Sequence, residues 1–85
     1  MKQELFKNVV FNNYVGTNPK IQNLIGSTFD VFQDDKGRLY FSKNSKDIII
    51  TSPVVEHTSG SAFEFNIHNF VTSNGTGYSF SKNRR

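Results

Sequence analysis

Beyond the first third of the chain, large apolar side chains alternate with polar ones, and this alternation constrains the fold more than any other feature. One residue separates Phe29 from Val31, and one residue separates Leu39 from Phe41. Successive side chains of a β-strand point to opposite faces, so the pattern predicts two strands with apolar faces. The segment 34–37 between them, Asp-Asp-Lys-Gly, favours a tight turn. The pattern therefore predicts a β-hairpin.

The following segment predicts a strand that contains a proline close to its end. Residues 44–47 favour a turn, and residues 47–51 carry three consecutive isoleucines. Pro53 cannot donate a hydrogen bond to a neighbouring strand. We therefore expect Pro53 either to end this strand or to mark a bulge in it.

The last part of the chain predicts its longest strand and then a closing strand. Residues 59–61, Ser-Gly-Ser, favour a turn that precedes a strand over residues 62–71. We expect three residues of this strand to face the interior: Phe63, Phe65 and Ile67. Residues 74–77 favour a hairpin loop, and Tyr78 and Phe80 should share the inward face of the strand that follows.

The first part of the chain has a different periodicity. Between residues 3 and 14, the apolar residues recur at the spacing of an amphipathic helix: Leu5, Phe6, Val9, Val10 and Tyr14. The triplet Val9–Val10–Phe11 also suits a strand. Helix is the preferred of these two alternatives.

A second helical signal lies at residues 18–26. Asn18 can cap a helix, Pro19 fits its first position, and Gly26 suits the left-handed conformation beyond its end. The buried side of this short helix should consist of three apolar residues: Ile21, Leu24 and Ile25.

Short connections between the predicted strands indicate how the sheet is built. Neighbouring strands joined in this way pair antiparallel as a meander. The expected fold class is mainly β, and α+β at most. We expect a single antiparallel meander sheet or a small, partly open β-barrel of about five strands, with a short N-terminal helical segment. Residues 1–81 form one β-rich domain, and residues 82–85 form a basic disordered tail.

The net charge of +3 originates in that tail. Lys82, Arg84 and Arg85 are three of the ten basic residues, and the other seven are balanced by seven acidic residues. Most such tails are solvated, although these three residues are candidates for nucleic-acid contact. The domain itself lacks the basic stripe that a phosphate-binding groove would need.

Cysteine content and apolar run length indicate the cellular environment. No cysteine is present, so neither a disulfide bond nor a thiolate metal site can stabilise this small domain. The first residues lack the uninterrupted apolar stretch of a signal peptide, and no apolar run approaches the roughly 20 residues that cross a bilayer. We expect a cytoplasmic protein with no membrane partner.

Residues that could support catalysis or bind a metal are few. Glu56, His57 and His68 come from two different segments, whereas metal sites need three or four converging donors. Asp34 and Asp35 lie in a predicted turn, where aspartate is favoured for its hydrogen bonds to the backbone. We expect no enzymatic activity, no cofactor and no metal.

The second face of the predicted sheet carries an unusual group of side chains. Phe32, Tyr40 and Phe70 lie on it, with Arg38 and His68 at matching positions. An exposed face of this kind could stack single-stranded bases or form the core of a protein interface. The preferred alternative is that this face is covered, because the sheet curls into a barrel or a helix packs on it.

Two short motifs carry a family resemblance. Residues 50–56 read ITSPVVE, and residues 72–80 run from Thr-Ser-Asn to Tyr-Ser-Phe. In these motifs the chain resembles small uncharacterised accessory proteins of bacteriophages that infect low-GC Gram-positive bacteria. The resemblance implies a protein that acts in the cytoplasm of a bacterial host cell and engages host machinery. It implies no functional residues.

These observations support two functional hypotheses. The first is non-enzymatic binding to a protein partner or self-association, with Phe32, Arg38, Tyr40, His68 and Phe70 as candidate contacts. The alternative is a small nucleic-acid-binding β-domain that uses the aromatic and arginine side chains together with the basic tail.

Overall fold

The computed structural model describes residues 1–62 and 65–82, and describes the backbone alone at residues 61, 62, 65 and 66. Its elements, in chain order, are β1 (Gln3–Val15), α1 (Pro19–Gln22), β2 (Thr28–Gln33), β3 (Arg38–Lys43), β4 (Lys46–Ala62), β5 (Phe65–Thr72) and β6 (Gly77–Lys82). Each strand pairs antiparallel with the next, and β1 also pairs with β6. The sheet therefore closes into a barrel, and the prediction of a mainly β antiparallel meander is confirmed.

The helix predicted over residues 3–14 is wrong, because this segment is strand β1. It pairs with β2 through Val9 and Phe29, and with β6 through Phe11 and Phe80. Register shifts lie between Phe6 and Val9 and between Phe11 and Asn13. Each shift adds a residue, so the side chains that reach the interior are spaced by three, two and three residues. That spacing imitates the period of a helix.

The predicted helix cap at Asn18 is confirmed. The Asn18 side chain accepts a hydrogen bond from the Lys20 amide at 3.0 Å, and Pro19 is the first helical residue. The helix ends at Gln22, and the chain reaches Gly26 at a φ of 97° after a turn. Within the described part of the chain, no helix is long and apolar enough to span a membrane. Three residues were predicted to form the buried side of this helix, and all three are partly buried against the core: Ile21, Leu24 and Ile25.

Aromatic side chains from different strands fill the barrel. Phe11 from β1, Phe41 from β3 and Phe80 from β6 are fully buried, with ring centroids 4.9 to 5.7 Å apart. Around these rings lie the other buried apolar residues: Val9, Tyr14, Phe29, Val31, Leu39, Ile49, Phe70 and Tyr78. Tilted and edge-to-face ring pairs of this kind stabilise a core beyond the area that they bury.

Pro53 marks a bulge rather than a strand end. Strand β4 continues through it, and the pairing with β3 shifts between Ile50 and Pro53. At this shift the Thr51 hydroxyl accepts a hydrogen bond from the buried Leu39 amide, with a distance of 3.0 Å between the two atoms. A side chain therefore replaces the carbonyl that a regular ladder would supply.

The predictions for the β4–β5 hairpin need correction. Residues 59–61 lie inside β4 rather than in a turn, since the pairing with β5 continues to Ala62. Ile67 was expected to face the interior, but it is partly exposed, whereas Phe70 is 2% exposed. Phe70 lies opposite Tyr78 on β6, so both side chains share the inward face. Phe63 and Phe65 were also expected to face the interior, but their side chains are not among those that the structure describes.

Strand β6 extends into the segment predicted to be a basic tail. Lys82 is the last residue of this strand and pairs with Val9. The predicted tail therefore overlaps the barrel by one residue. Arg84 and Arg85 fall outside the described residues.

Candidate functional site

The five candidate contact residues are divided between the two sides of the barrel wall. Phe70 lies in the core, and His68 lies on the same inner side, where its ring is tilted against that of Phe6 with centroids 4.3 Å apart. Phe32, Arg38 and Tyr40 lie on the outer side of β2 and β3. The structure thus separates one predicted group into an inward pair, of which only Phe70 belongs to the core, and an outward group of three.

The outward group extends across the neighbouring strands. Phe32 on β2 lies opposite Tyr40 on β3, and Tyr40 lies opposite Ile50 on β4. Side chains directly opposite one another on one face of a sheet are in contact distance. Ile50 is 56% exposed, which is high for so large an apolar residue. We call the set Phe32, Arg38, Tyr40 and Ile50 the outer face.

Ile50 was not predicted from the sequence as part of this surface. In the run 48–50 only Ile49 is buried, whereas Ile48 and Ile50 are exposed. A strand cannot direct three consecutive side chains inward. This rule could have identified the two outward isoleucines.

Asp34 fixes the polar end of the outer face. Its carboxylate accepts hydrogen bonds from Arg38 Nε at 2.7 Å and from the Tyr40 hydroxyl at 2.8 Å. It also accepts hydrogen bonds from the backbone amides of Lys36 and Arg38, each 2.9 Å long. The turn that the Asp34–Gly37 sequence forms therefore holds two side chains of the outer face in place.

This hydrogen-bond network shifts the pKa of each group within it. Partial burial of Asp34 acts to raise its pKa, but the hydrogen bonds from Tyr40, Arg38 and the two amides hold that pKa well below its usual range. The hydrogen bond to Asp34 raises the pKa of Tyr40 and that of Arg38. The carboxylate and the guanidinium are thus both ionised across the physiological pH range.

Lys2 lies across the aromatic part of the outer face. Its Nζ is 4.7 Å from the ring centroid of Tyr40 and 5.8 Å from that of Phe32. The same Nζ is 2.9 Å from Asp47 Oδ2. These contacts combine two cation–π interactions with an ion pair.

Three of the four positive charges at this site have an acidic neighbour. Lys2 pairs with Asp47, Arg38 pairs with Asp34, and the α-amino group of Met1 pairs with Asp35 at 3.0 Å. A shallow pocket of about 290 Å³ lies at this end of the face, lined by Met1, Lys2, Asp34, Asp35, Lys36, Arg38 and Tyr40. The surface is apolar at its centre, and three of the four positive charges at its edge are paired with carboxylates.

The two histidines come together elsewhere on the barrel. His57 Nε2 and His68 Nδ1 are 3.4 Å apart, and the His57 ring is stacked on Phe70 at 4.3 Å. Among the residues that the structure describes, no three side chains of His, Cys, Asp or Glu are grouped to hold a metal ion. His57 is exposed, whereas His68 is partly buried against Phe6.

We expect this pair to make stability depend on pH. Burial, and the charge of His57, lower the pKa of His68 below its ordinary value of 6.5. The unfolded chain then binds protons more readily, so the free energy of unfolding should be greatest above about pH 6.5 and fall on acidification through the folded-state pKa. Urea denaturation at pH 7.5 and at pH 5 measures the difference.

The matched variant for this measurement is His68→Phe, which keeps an aromatic ring against Phe6 and removes the titrating group. Its loss of stability between the two pH values should be smaller than that of the wild type. An equal loss in both proteins would show that His68 does not contribute.

Comparison of the chain with protein-family models, curated proteins and solved structures finds no match.

Proposed function

We propose that this chain is a non-enzymatic binding module that engages a protein partner, or a second copy of itself, through the outer face. The supporting observation is the continuous row of Phe32, Tyr40 and Ile50 across three strands of a closed barrel. Phenylalanine, tyrosine and arginine are enriched in the cores of protein interfaces. Polar groups at the edge of such a core provide orientation.

The outer face is also ordered before any partner arrives. Hydrogen bonds to Asp34 fix the side chains of Arg38 and Tyr40, and strand pairing fixes the backbone at Phe32 and Ile50. Association then costs less side-chain entropy than it would for mobile side chains. A rigid patch of this kind suits specific recognition.

Charge balance favours a protein partner over a nucleic acid. The positive groups next to the aromatic rings, Lys2 and Arg38, are already paired with carboxylates. A phosphate group would have to displace those carboxylates and would meet their negative charge. Lys82 lies on β6, beside β1 and β5 rather than on the strands of the outer face. Binding to single-stranded oligonucleotides with a steep salt dependence would instead support the nucleic-acid alternative.

The proposal also places this binding function in the cytoplasm of a bacterial host cell. The motif resemblance to bacteriophage accessory proteins supports a role in the cytoplasm of a bacterial host cell, where the partner would be a host protein or another copy of the chain.

The test compares the wild type with the double variant Phe32→Thr/Ile50→Thr. Threonine suits an outward strand position, so the variant should fold. Affinity capture from host lysate and light scattering after size exclusion measure partner binding and self-association. We expect the double variant to lose at least about tenfold in affinity for whatever the wild type binds, because central aromatic and apolar residues dominate interface energies.

The control is Val15→Thr, which alters an apolar residue that is 63% exposed on another part of the barrel. This control should bind as the wild type does. Full binding by a folded Phe32→Thr/Ile50→Thr protein would overturn the proposal.

A further inference from the structure

We propose that the outer face accepts a basic side chain of its partner at the position that Lys2 occupies in the isolated chain. The inference rests on the proposed function and specifies the chemistry of the partner: a segment that presents lysine or arginine. Lys2 then acts as an internal competitor for the site.

The position of Lys2 carries this inference. Its ammonium group lies within 6 Å of two aromatic ring centroids, those of Tyr40 and Phe32. An ammonium group at this range of an aromatic face is attracted by the negative potential above the ring. Asp47 supplies a carboxylate 2.9 Å from the same nitrogen. Two rings and a carboxylate therefore surround one cation, and they form a recognition site whose present occupant belongs to the chain itself.

The occupant is held loosely enough to be replaced. Lys2 precedes the first paired residue of β1, Gln3, so its movement breaks no backbone pairing with β2. The side chains of Lys2 and Asp47 are 41% and 33% exposed. Exposed ion pairs and exposed cation–π contacts are weak individually. A partner that supplies several basic groups can therefore displace a single tethered lysine.

The charges left after displacement select a basic occupant. Without Lys2, the Asp47 carboxylate loses its ion pair and the Phe32 ring loses its ammonium group. Tyr40 keeps only the longer contact with Arg38, whose Cζ is 5.9 Å from the ring centroid. Asp35 lies at the edge of the same pocket, and its side chain is 81% exposed. In the isolated chain this carboxylate pairs with the exposed α-amino group of Met1, and a second basic residue of the partner can replace that contact. An acidic or phosphorylated segment would be repelled by both aspartates.

Arg38 does not compete for the same role. Its Cζ is 5.9 Å from the Tyr40 ring centroid, but its Nε is bound to Asp34, whose side chain is only 9% exposed. This contact fixes Arg38 at the edge of the face. Of these two basic residues, Lys2 is therefore the one that can leave.

The test is an NMR titration of the full chain, labelled with ¹⁵N, with a lysine-rich peptide and with a glutamate-rich peptide of equal length. Removal of the competitor in Lys2→Gln should tighten binding of the lysine-rich peptide about fivefold, because the open form of the site is then always populated. Shifted amide signals should map to the outer face. The glutamate-rich peptide should shift none of these signals.

Two further variants complete the test. Asp47→Asn in the Lys2→Gln background should reverse the gain, because the site then lacks its carboxylate. Lys20→Gln, which removes an exposed lysine of α1, should bind as the wild type does. Absence of a gain in Lys2→Gln, or equal binding of the two peptides, would overturn the inference.

Failure of this inference is distinguishable from failure of the proposed function. If Lys2→Gln shows no gain but Phe32→Thr/Ile50→Thr still loses its partner, the outer face binds through its apolar row alone. If the double variant keeps its partner, the proposed function itself is wrong.

Discussion

Phe11→Ala is expected to abolish cooperative folding. The Phe11 side chain is fully buried, and its ring contacts five others, from Tyr14, Phe29, Phe41, Tyr78 and Phe80, with centroids 5.3 to 6.4 Å away. Truncation of a buried phenylalanine costs about 3–5 kcal/mol. The whole stability of a domain of this size is roughly 5 kcal/mol. Urea denaturation followed by circular dichroism should show no cooperative transition.

Two variants bracket this result. Asn12→Ala changes the exposed residue next to Phe11 and should alter the free energy of unfolding by about 0.5 kcal/mol or less. Phe11→Leu keeps most of the volume and should still fold. A cooperative Phe11→Ala protein that loses under about 1 kcal/mol would contradict the placement of β1 in the barrel wall.

Phe70→Ala is expected to have the second largest effect. Phe70 is 2% exposed and contacts Phe6, Phe80 and the stacked ring of His57. Its removal opens a cavity between β5 and β6, with an expected cost of about 3–5 kcal/mol by equilibrium unfolding.

The control for this measurement is Thr58→Ala on β4, which is exposed and should cost less than about 1 kcal/mol. If Phe70→Ala proved as mild as Thr58→Ala, Phe70 would lie on an outer surface and would return to the set of candidate contact residues.

The hairpin of β2 and β3 could be predicted from sequence because it contains no irregularity. Its four cross-strand pairs, from Asp30↔Ser42 to Gln33↔Leu39, follow in register. The alternation of Phe29, Val31, Leu39 and Phe41 therefore reports their faces directly. Phe32 and Tyr40 were placed together on the opposite face for the same reason.

Strand β1 could not be recognised in this way. Its inward side chains are Phe6, Val9, Phe11 and Tyr14, and bulges separate the first two and the last two. Local periodicity cannot distinguish such a strand from an amphipathic helix. Its identity depends on pairing with β6, which lies at the other end of the chain.

The two faces of β5 posed a related problem. Alternation alone allows either Ile67 or Phe70 to face the interior, and a slip of one residue exchanges the faces. The register with β6, in which Phe70 lies opposite Tyr78, decides between them. Gly60 also misled the prediction, since it lies within β4 and not in a turn.

Part of the candidate site depends on contacts distant in sequence. Lys2 reaches Asp47 across 45 residues, because the start of β1 pairs with the end of β2, and β2 leads across β3 to β4, where Asp47 lies. No local pattern indicates such a contact. By contrast, the hydrogen bonds to Asp34 could be expected from the turn in which it lies. An aspartate at the start of such a turn accepts hydrogen bonds from backbone amides later in the turn, here those two and four residues along the chain.

The most direct test of the central claim, that the outer face serves binding and not folding, is the free energy of unfolding of Phe32→Thr/Ile50→Thr by urea denaturation. We predict a cooperative transition and a cost of about 2 kcal/mol or less for the two changes together, since both side chains lie on the outside of the barrel. A cost as large as that of Phe70→Ala, about 3–5 kcal/mol, would contradict the claim, because Phe32 and Ile50 would then be part of the core.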